Sequence, residues 1–341
     1  MELREATPEE RRIYYTEEWS PGEIPDFLVA SIAQREFGFD HDGTGPKDRY
    51  NAFPDVNALA GFLRERAPYS AYSSVSYYER PGKREGYLKA ELVFDIDAKD
   101  LPQTLKKCCK AGEVCEKCLD IAKTFILTLK DIFEGDFGLK NIHYVYSGRG
   151  YHVRILDPDV MDFTDVERAY ILDYLTGSQE LKGSPKVDRW LAPRGYTRVF
   201  KDRLLMMLEA ATAEDLMMVE GIGKTTAEEV MRNKEQIMED LKGWKNFAIE
   251  TDKKTGVIRK RRFKALKDIL GEARYDRLTD FVLKQNASML DAKVTVDVKR
   301  ILRLPSSLHS KAGLKCMLIG DLESFNPLRD AVPRFVAERR D

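Results

Sequence analysis

Net charge is almost absent from this chain: 56 lysines and arginines face 57 aspartates and glutamates over 341 residues, leaving −1. No global basic field marks it as a nucleic-acid binder, so any such surface must be local. Long apolar runs are missing too, and nothing approaches the ~18 residues of a membrane span. The opening MELREATPEERR lacks the apolar core of a secretory signal. The expectation is an intracellular, soluble protein with no membrane partner. Solenoid-period repeats and low-complexity tracts do not occur. Cysteine is scarce, five in all, yet four fall within eleven residues. That clustering argues for metal rather than disulfides. What remains is globular in composition and long enough for one large domain or two ordinary ones.

The stretch LVFDID, Leu92 to Asp97, sets two carboxylates on an otherwise apolar segment. Its Val, Phe and Ile content and length predict a strand. Alternation then puts Leu92, Phe94 and Ile96 on one face and Val93, Asp95 and Asp97 on the other. The two aspartate Cα atoms lie about 6.5–7 Å apart in that conformation. Carboxylates sharing a spot repel, and one or two divalent cations would relieve the repulsion. A strand edge whose polar face meets water is the plainer alternative.

Along the chain, the first 70 residues read as helical, broken by SPGEIP and by the glycine turn DHDGTGPKDR. SAYSSVSYYERP and YLKAELVFDID read as strands joined near Pro81 and Gly82, and CLDIAKTFILTLKDIFEGDFG as an amphipathic helix. NIHYVYSGRGYHVRIL reads as strand, glycine turn, strand. Charged, mostly helical sequence follows, and AKVTVDVKRILRLP restores strand character near the end. A mixed sheet domain, interrupted by a helical insertion and completed by the final third, is the simplest organisation: 1–162, 163–250 and 251–341. Within the insertion, LMMVEGIGKTTAEEV resembles a helix-hairpin-helix with Gly221 and Gly223 at the turn. It is either a grip on a nucleic-acid backbone or a turn between two packing helices.

Cys108, Cys109, Cys115 and Cys118 form C-C-x5-C-x2-C. Four thiolates suit structural zinc and leave no open position for catalysis; a redox CxxC and a mere cluster of buried cysteines are the alternatives. In SGRGYH, glycines let a backbone approach an anion, while Ser147, Arg149 and His152 supply donors. LDAKVTVDVKRILRLPSSLHSKAG carries Asp291 and Asp297, then Arg300, Arg303, His309 and Lys311. Acid followed by cations and a histidine is what a metal–triphosphate site needs. Each segment alone also fits an ordinary turn or charged loop. Together they suggest two-metal nucleotidyl transfer.

The order ELVFDID, C-C-x5-C-x2-C, SGRGYH, then D…RILRLPSSLH resembles the small catalytic subunit of archaeal and eukaryotic DNA primase. The resemblance runs from REFGF near residue 35 to about residue 314. It implies an α+β prim fold, mixed sheets with flanking helices, carrying a zinc-binding knob at 108–118 and the helical insertion. It also implies metal-dependent primer synthesis on single-stranded DNA. Asp95, Asp97 and Asp291 match the catalytic acids for Mg²⁺ or Mn²⁺; of the two later aspartates, the family spacing selects Asp291, at the start of the last strand segment. Ser147, Arg149 and His152 match the phosphate-binding turn, Arg303 and His309 a second cradle, and Arg35 a nucleotide contact. The four cysteines match the family's zinc set. Implied partners are nucleoside triphosphates, the template, and a large subunit with an iron–sulfur cluster, for which this chain has only Cys316 to spare. The basic stretch Lys253 to Lys264 is a candidate template contact. Compact length and the glycine hairpin favour an archaeal, cytoplasmic version over a nuclear one. A repair-type polymerase of the same superfamily and a non-enzymatic zinc-containing nucleic-acid-binding protein remain alternatives.

Overall fold

A computed structural model describes residues 4–110, 112–176, 196–244, 247–251 and 258–339. The chain divides into two compact units: residues 1–99, 112–169 and 291–341 form the first, residues 100–111 and 170–290 the second. In chain order the first unit holds β1 (Phe37–Asp40), β2 (Asp48–Asn51), β3 (Ser70–Ser74), β4 (Ser76–Arg80), β5 (Glu85–Ala90), β6 (Leu92–Asp97), β7 (Ile142–Tyr146) and β8 (Gly150–Ile155). The second unit holds β9 (Phe247–Thr251) and β10 (Ile258–Phe263). The first unit then resumes with β11 (Ile301–Arg303), β12 (Leu308–His309), β13 (Leu314–Lys315) and β14 (Met317–Leu318).

Two four-stranded sheets organise the first unit, ordered β11-β3-β1-β2 and β14-β7-β8-β6. All their pairings are antiparallel. The architecture is therefore the expected α+β mixture of several sheets with flanking helices. On β6 the apolar face, Leu92, Phe94 and Ile96, is fully buried. It packs toward the helix Glu116–Gly135, whose 3–4 spacing buries Phe125, Ile126, Leu129 and Phe133. The Phe94 and Phe133 rings lie 5.0 Å apart. From the opposite face Val93 joins Val75, Val294 and Leu302 in a small apolar cluster. That cluster brings the carboxylate side of β6 up to the first sheet.

The amino-terminal 70 residues are less helical than their composition suggests. β1 and β2 bracket the glycine turn, because Phe37 and Phe39 supply buried anchors for an aromatic core with Tyr14, Tyr15 and Trp19. AKVTVDVKRILRLP also departs from expectation. Only Ile301–Arg303 is strand, and Ala292–Val296 is a short helix despite its β-branched residues. Asp291 caps that helix, its carboxylate accepting the N–H groups of Lys293 and Val294, which outweighs the strand propensity.

The second unit is mostly helical beside the β9–β10 pair, with its own core of Leu204, Leu208, Leu216, Val230, Leu241 and Leu278 among others. Residues 258–290, placed from the sequence with the closing segment, fall in this unit. Leu266, Leu270 and Val282 of the long helical segment Lys264–Ala287 are why, since all three are part of that core. The Gly221–Gly223 turn joins helices Ala213–Met217 and Lys224–Arg232, with Val219 and Ile222 buried beneath it and Gly221 at φ +82°. The basic stretch from Lys253 begins outside the described residues. No helix among the described residues is long and apolar enough to cross a membrane.

Candidate active site

Pairing of β6 with β8 sets Asp95 opposite His152 and Asp97 opposite Gly150. Residue 150 has to be glycine, since a Cβ there would fall on the carbonyl oxygen of Ile96. The Asp95 and Asp97 side chains are each 26% exposed, so both are reachable from solvent. Asp95 Oδ1 lies 3.5 Å from His152 Nε2. Asp97 meets its own loop, accepting from the Lys99 N–H at 3.0 Å and from Lys99 Nζ at 2.8 Å. Asp291 is joined to Asp95 through the main chain, its N–H donating to the Asp95 carbonyl at 3.2 Å. Asp297 instead pairs with Arg300 at 3.2 Å. The three aspartates do not converge into one ligand shell here; among the described residues that tightness belongs to the cysteines.

The SGRGYH turn closes with the Ser147 N–H donating to the Gly150 carbonyl at 2.9 Å. Arg149 reaches back through Nη2 to the Gly112 carbonyl at 3.2 Å. His309, on β12, is buried against the turn at Gly148, whose φ of +100° suits glycine. Its Nδ1 accepts the Ala312 N–H at 3.2 Å, which leaves the proton of a neutral imidazole on Nε2. Burial, then the Arg303 and Arg149 cations, hold its pKa well below the ordinary value. His152 is likewise neutral: burial first, then Arg154 and Arg303, push it down to about 3. Lys311, two residues after His309, is exposed.

Arg303 stands opposite Tyr72 in the β11–β3 register. Its guanidinium lies 5.1 Å from the Tyr72 ring centroid and Nη2 donates to the Tyr72 hydroxyl at 3.3 Å. Nη1 is buried with no hydrogen-bond partner among the described residues. Sequence reasoning missed Tyr72, because its place depends on a pairing across 231 positions. Arg35 is a correction. It is wholly buried, bonded to Ser31, to the Ser74 carbonyl and to Glu91, and stacked on Tyr77. A guanidinium so fully engaged in the core is not presented to a nucleotide.

The Sγ atoms of Cys108, Cys109, Cys115 and Cys118 lie within 4.8 Å of one another. Cys115 and Cys118 are 3.7 Å apart. A tetrahedral zinc site with Zn–S of about 2.3 Å has S–S edges of about 3.8 Å, so the donors fit such an ion. Cys115 caps the helix Glu116–Gly135, where the helix dipole favours a thiolate. Cys316 stands apart, buried, its thiol pushed up to about 12 by burial.

Carboxylates on one strand face, set beside imidazoles and arginines suited to phosphate, point to the class of nucleotidyl-transfer proteins. Comparison with known proteins narrows the class. The family profile described as DNA primase small subunit matches residues 94–319. A DNA primase small subunit PriS of Methanothermobacter thermautotrophicus is 44% identical over 342 residues, 98% of each chain. Its counterparts in Methanobrevibacter smithii and Thermococcus kodakarensis are 40% and 42% identical, spanning 98% of this chain and 98% and 94% of their own. The chain belongs to the DNA primase small-subunit family.

Proposed function

We propose that this chain is the catalytic subunit of an archaeal-type, cytoplasmic DNA primase, joining nucleoside triphosphates into short primers de novo on single-stranded DNA. The observation that carries it is one arrangement: Asp95 and Asp97 share a strand face, Asp291 is tied to Asp95, and the Ser147–His152 turn packs on His309. Asp95, Asp97 and Asp291 would hold Mg²⁺ or Mn²⁺, which supplies a more acidic primer 3′-hydroxyl and neutralises the departing pyrophosphate. Arg303, Arg149, Ser147, His152 and the Nε2–H of His309 bind the triphosphate oxygens and orient the α-phosphate. Because both histidines are neutral, they act as donors without adding charge that must later be shed. No side-chain base is needed.

The four cysteines hold zinc in a structural role. A large subunit that carries the iron–sulfur cluster completes the enzyme, consistent with a chain whose fifth cysteine is buried and apart. The test is synthesis without a supplied primer, with the chain alone and with its large subunit, against Asp95→Ala plus Asp97→Ala. Short products made only by the unmodified protein support the proposal. Extension of supplied ends without initiation, large subunit included, would favour a repair-type polymerase, and no incorporation at all would sink the enzymatic reading.

A further inference from the structure

Behind the Asp95–His152 pair, buried cations locally outnumber carboxylates, although Glu36 and Asp40 balance the buried charge of the first unit as a whole. Glu91 is completely buried, and two completely buried arginines share it. Arg35 donates through Nη2 to Oε1, and Arg154 through Nε to Oε2 at 2.6 Å. Two cations against one carboxylate leave one net positive charge. A third buried guanidinium, Arg168, donates to the carbonyls of Glu91 and Ala90 at 2.7 and 3.0 Å, and Asp165 faces its charge. Arg35 spends its remaining donors on Ser31 and the Ser74 carbonyl. Arg154 does not: Nη1 and Nη2 are buried with no hydrogen-bond partner among the described residues. Its guanidinium lies 5.2 Å from the Phe27 ring centroid.

Charge kept in an apolar interior is costly, and a hydrophobic side chain of the same volume would fill the space more cheaply. Something else must favour arginine here. Arg154 follows His152 by two residues on β8, so both project from one strand face, about 6.5–7 Å apart along the strand. Together with Arg303 from the facing sheet it bears on the His152 imidazole. His152 in turn closes the segment Ser147–His152.

We propose that Arg154 is a positioning residue for the triphosphate: anchored by Glu91, it keeps an uncompensated positive charge beneath His152 that favours a polyanion at the Ser147–His152 turn. It touches neither nucleotide nor metal. The inference rests on the nucleotide reading of the site, and Glu91 then sets the strength of the field by cancelling one of two cations.

Three variants of the full chain test it: Arg154→Met removes the charge at similar length, Arg154→Lys keeps it, and Glu91→Gln raises the net charge. The readouts are KM and kcat for nucleoside triphosphate on a single-stranded template, equilibrium binding of the nucleotide with Ca²⁺, and Tm. R154M should raise KM and the dissociation constant about tenfold with kcat within about twofold, the signature of lost uniform binding. R154K should restore KM to within about threefold of the unmodified protein, since the field follows charge. E91Q should leave KM unchanged or lower it even though it lowers Tm. A rise of KM in R154M and E91Q alike, in step with Tm, would overturn the proposal in favour of simple packing. So would an unchanged KM in R154M. If R154M does not fold, a tenfold KM rise in R154K or any rise in E91Q overturns it. An unmodified chain that neither binds nor incorporates nucleotide fails the nucleotide reading itself, an outcome separable from any effect at residue 154.

Discussion

Gly148 and His309 are in direct apposition: a side chain at 148 would occupy the space of the His309 Cβ and ring. The glycine also holds φ at +100°, a conformation costing a non-glycine residue about 1–3 kcal/mol. Gly148→Ala should therefore push His309 off the turn. Expected are a loss of primer synthesis of about a hundredfold or more, from a displacement of order 1 Å, and a Tm lower by a few degrees. A variant with native activity would show that the two phosphate cradles do not work as one.

Asp291 and Asp297 make opposite predictions from similar surroundings in sequence. Asp291 is bonded to the Asp95 main chain, whereas Asp297 is exposed and paired with Arg300. Asp291→Asn should cost on the order of a thousandfold in synthesis, since a ligand worth several kcal/mol of charge stabilisation is gone. Asp297→Asn removes an exposed ion pair worth about 0–1 kcal/mol and should leave activity within about twofold. Reversed effects in the same steady-state assay would reassign the third acid.

Much of the site was legible because it is local. The alternation in LVFDID announces a strand with its two acids on one face, and the C-C-x5-C-x2-C spacing announces a thiol cluster; the structure contains both. The rest depends on partners far away in the chain. Val294, Thr295 and Val296 read as strand, but a cap from Asp291 makes them helix. Arg35 carries the residue type of a nucleotide contact, and only the fold shows that Glu91 and Ser74 enclose it. Tyr72 and Arg154 matter through strand register, which no single segment encodes.

The cysteine cluster predicts a bound metal independent of catalysis. Protein purified without chelator should carry one zinc per chain by mass spectrometry or atomic emission. Cys118→Ser, at the buried member of the set, should release it. Structural zinc contributes several kcal/mol, so Tm should fall by about 5–10 °C or more. Metal-free protein with an unaltered Tm would reduce the cluster to four neighbouring thiols.

His309 gives stability a pH dependence of known sign. Its folded pKa lies well below the ordinary 6.5 because burial and the Arg303 and Arg149 cations disfavour the charged ring. The unfolded chain therefore binds a proton that the folded chain refuses as pH drops below about 6.5. Stability is present above that value and is lost on acidification, by about 1.4 kcal/mol per pH unit for each such histidine. His152 and His143 are shifted the same way and add to the slope. Buried Glu91, whose pKa is lowered from 4.5, contributes only at more acidic pH, so the interval from pH 6.5 to 5 isolates the histidines. Denaturant unfolding of the unmodified chain and of His309→Asn across that interval measures the difference. The variant should lose less stability on going from pH 6.5 to 5, by about one proton's share of the slope. An identical slope would mean that His309 takes up its proton in the folded protein, and the Nε2–H donor assigned to it would then be an imidazolium.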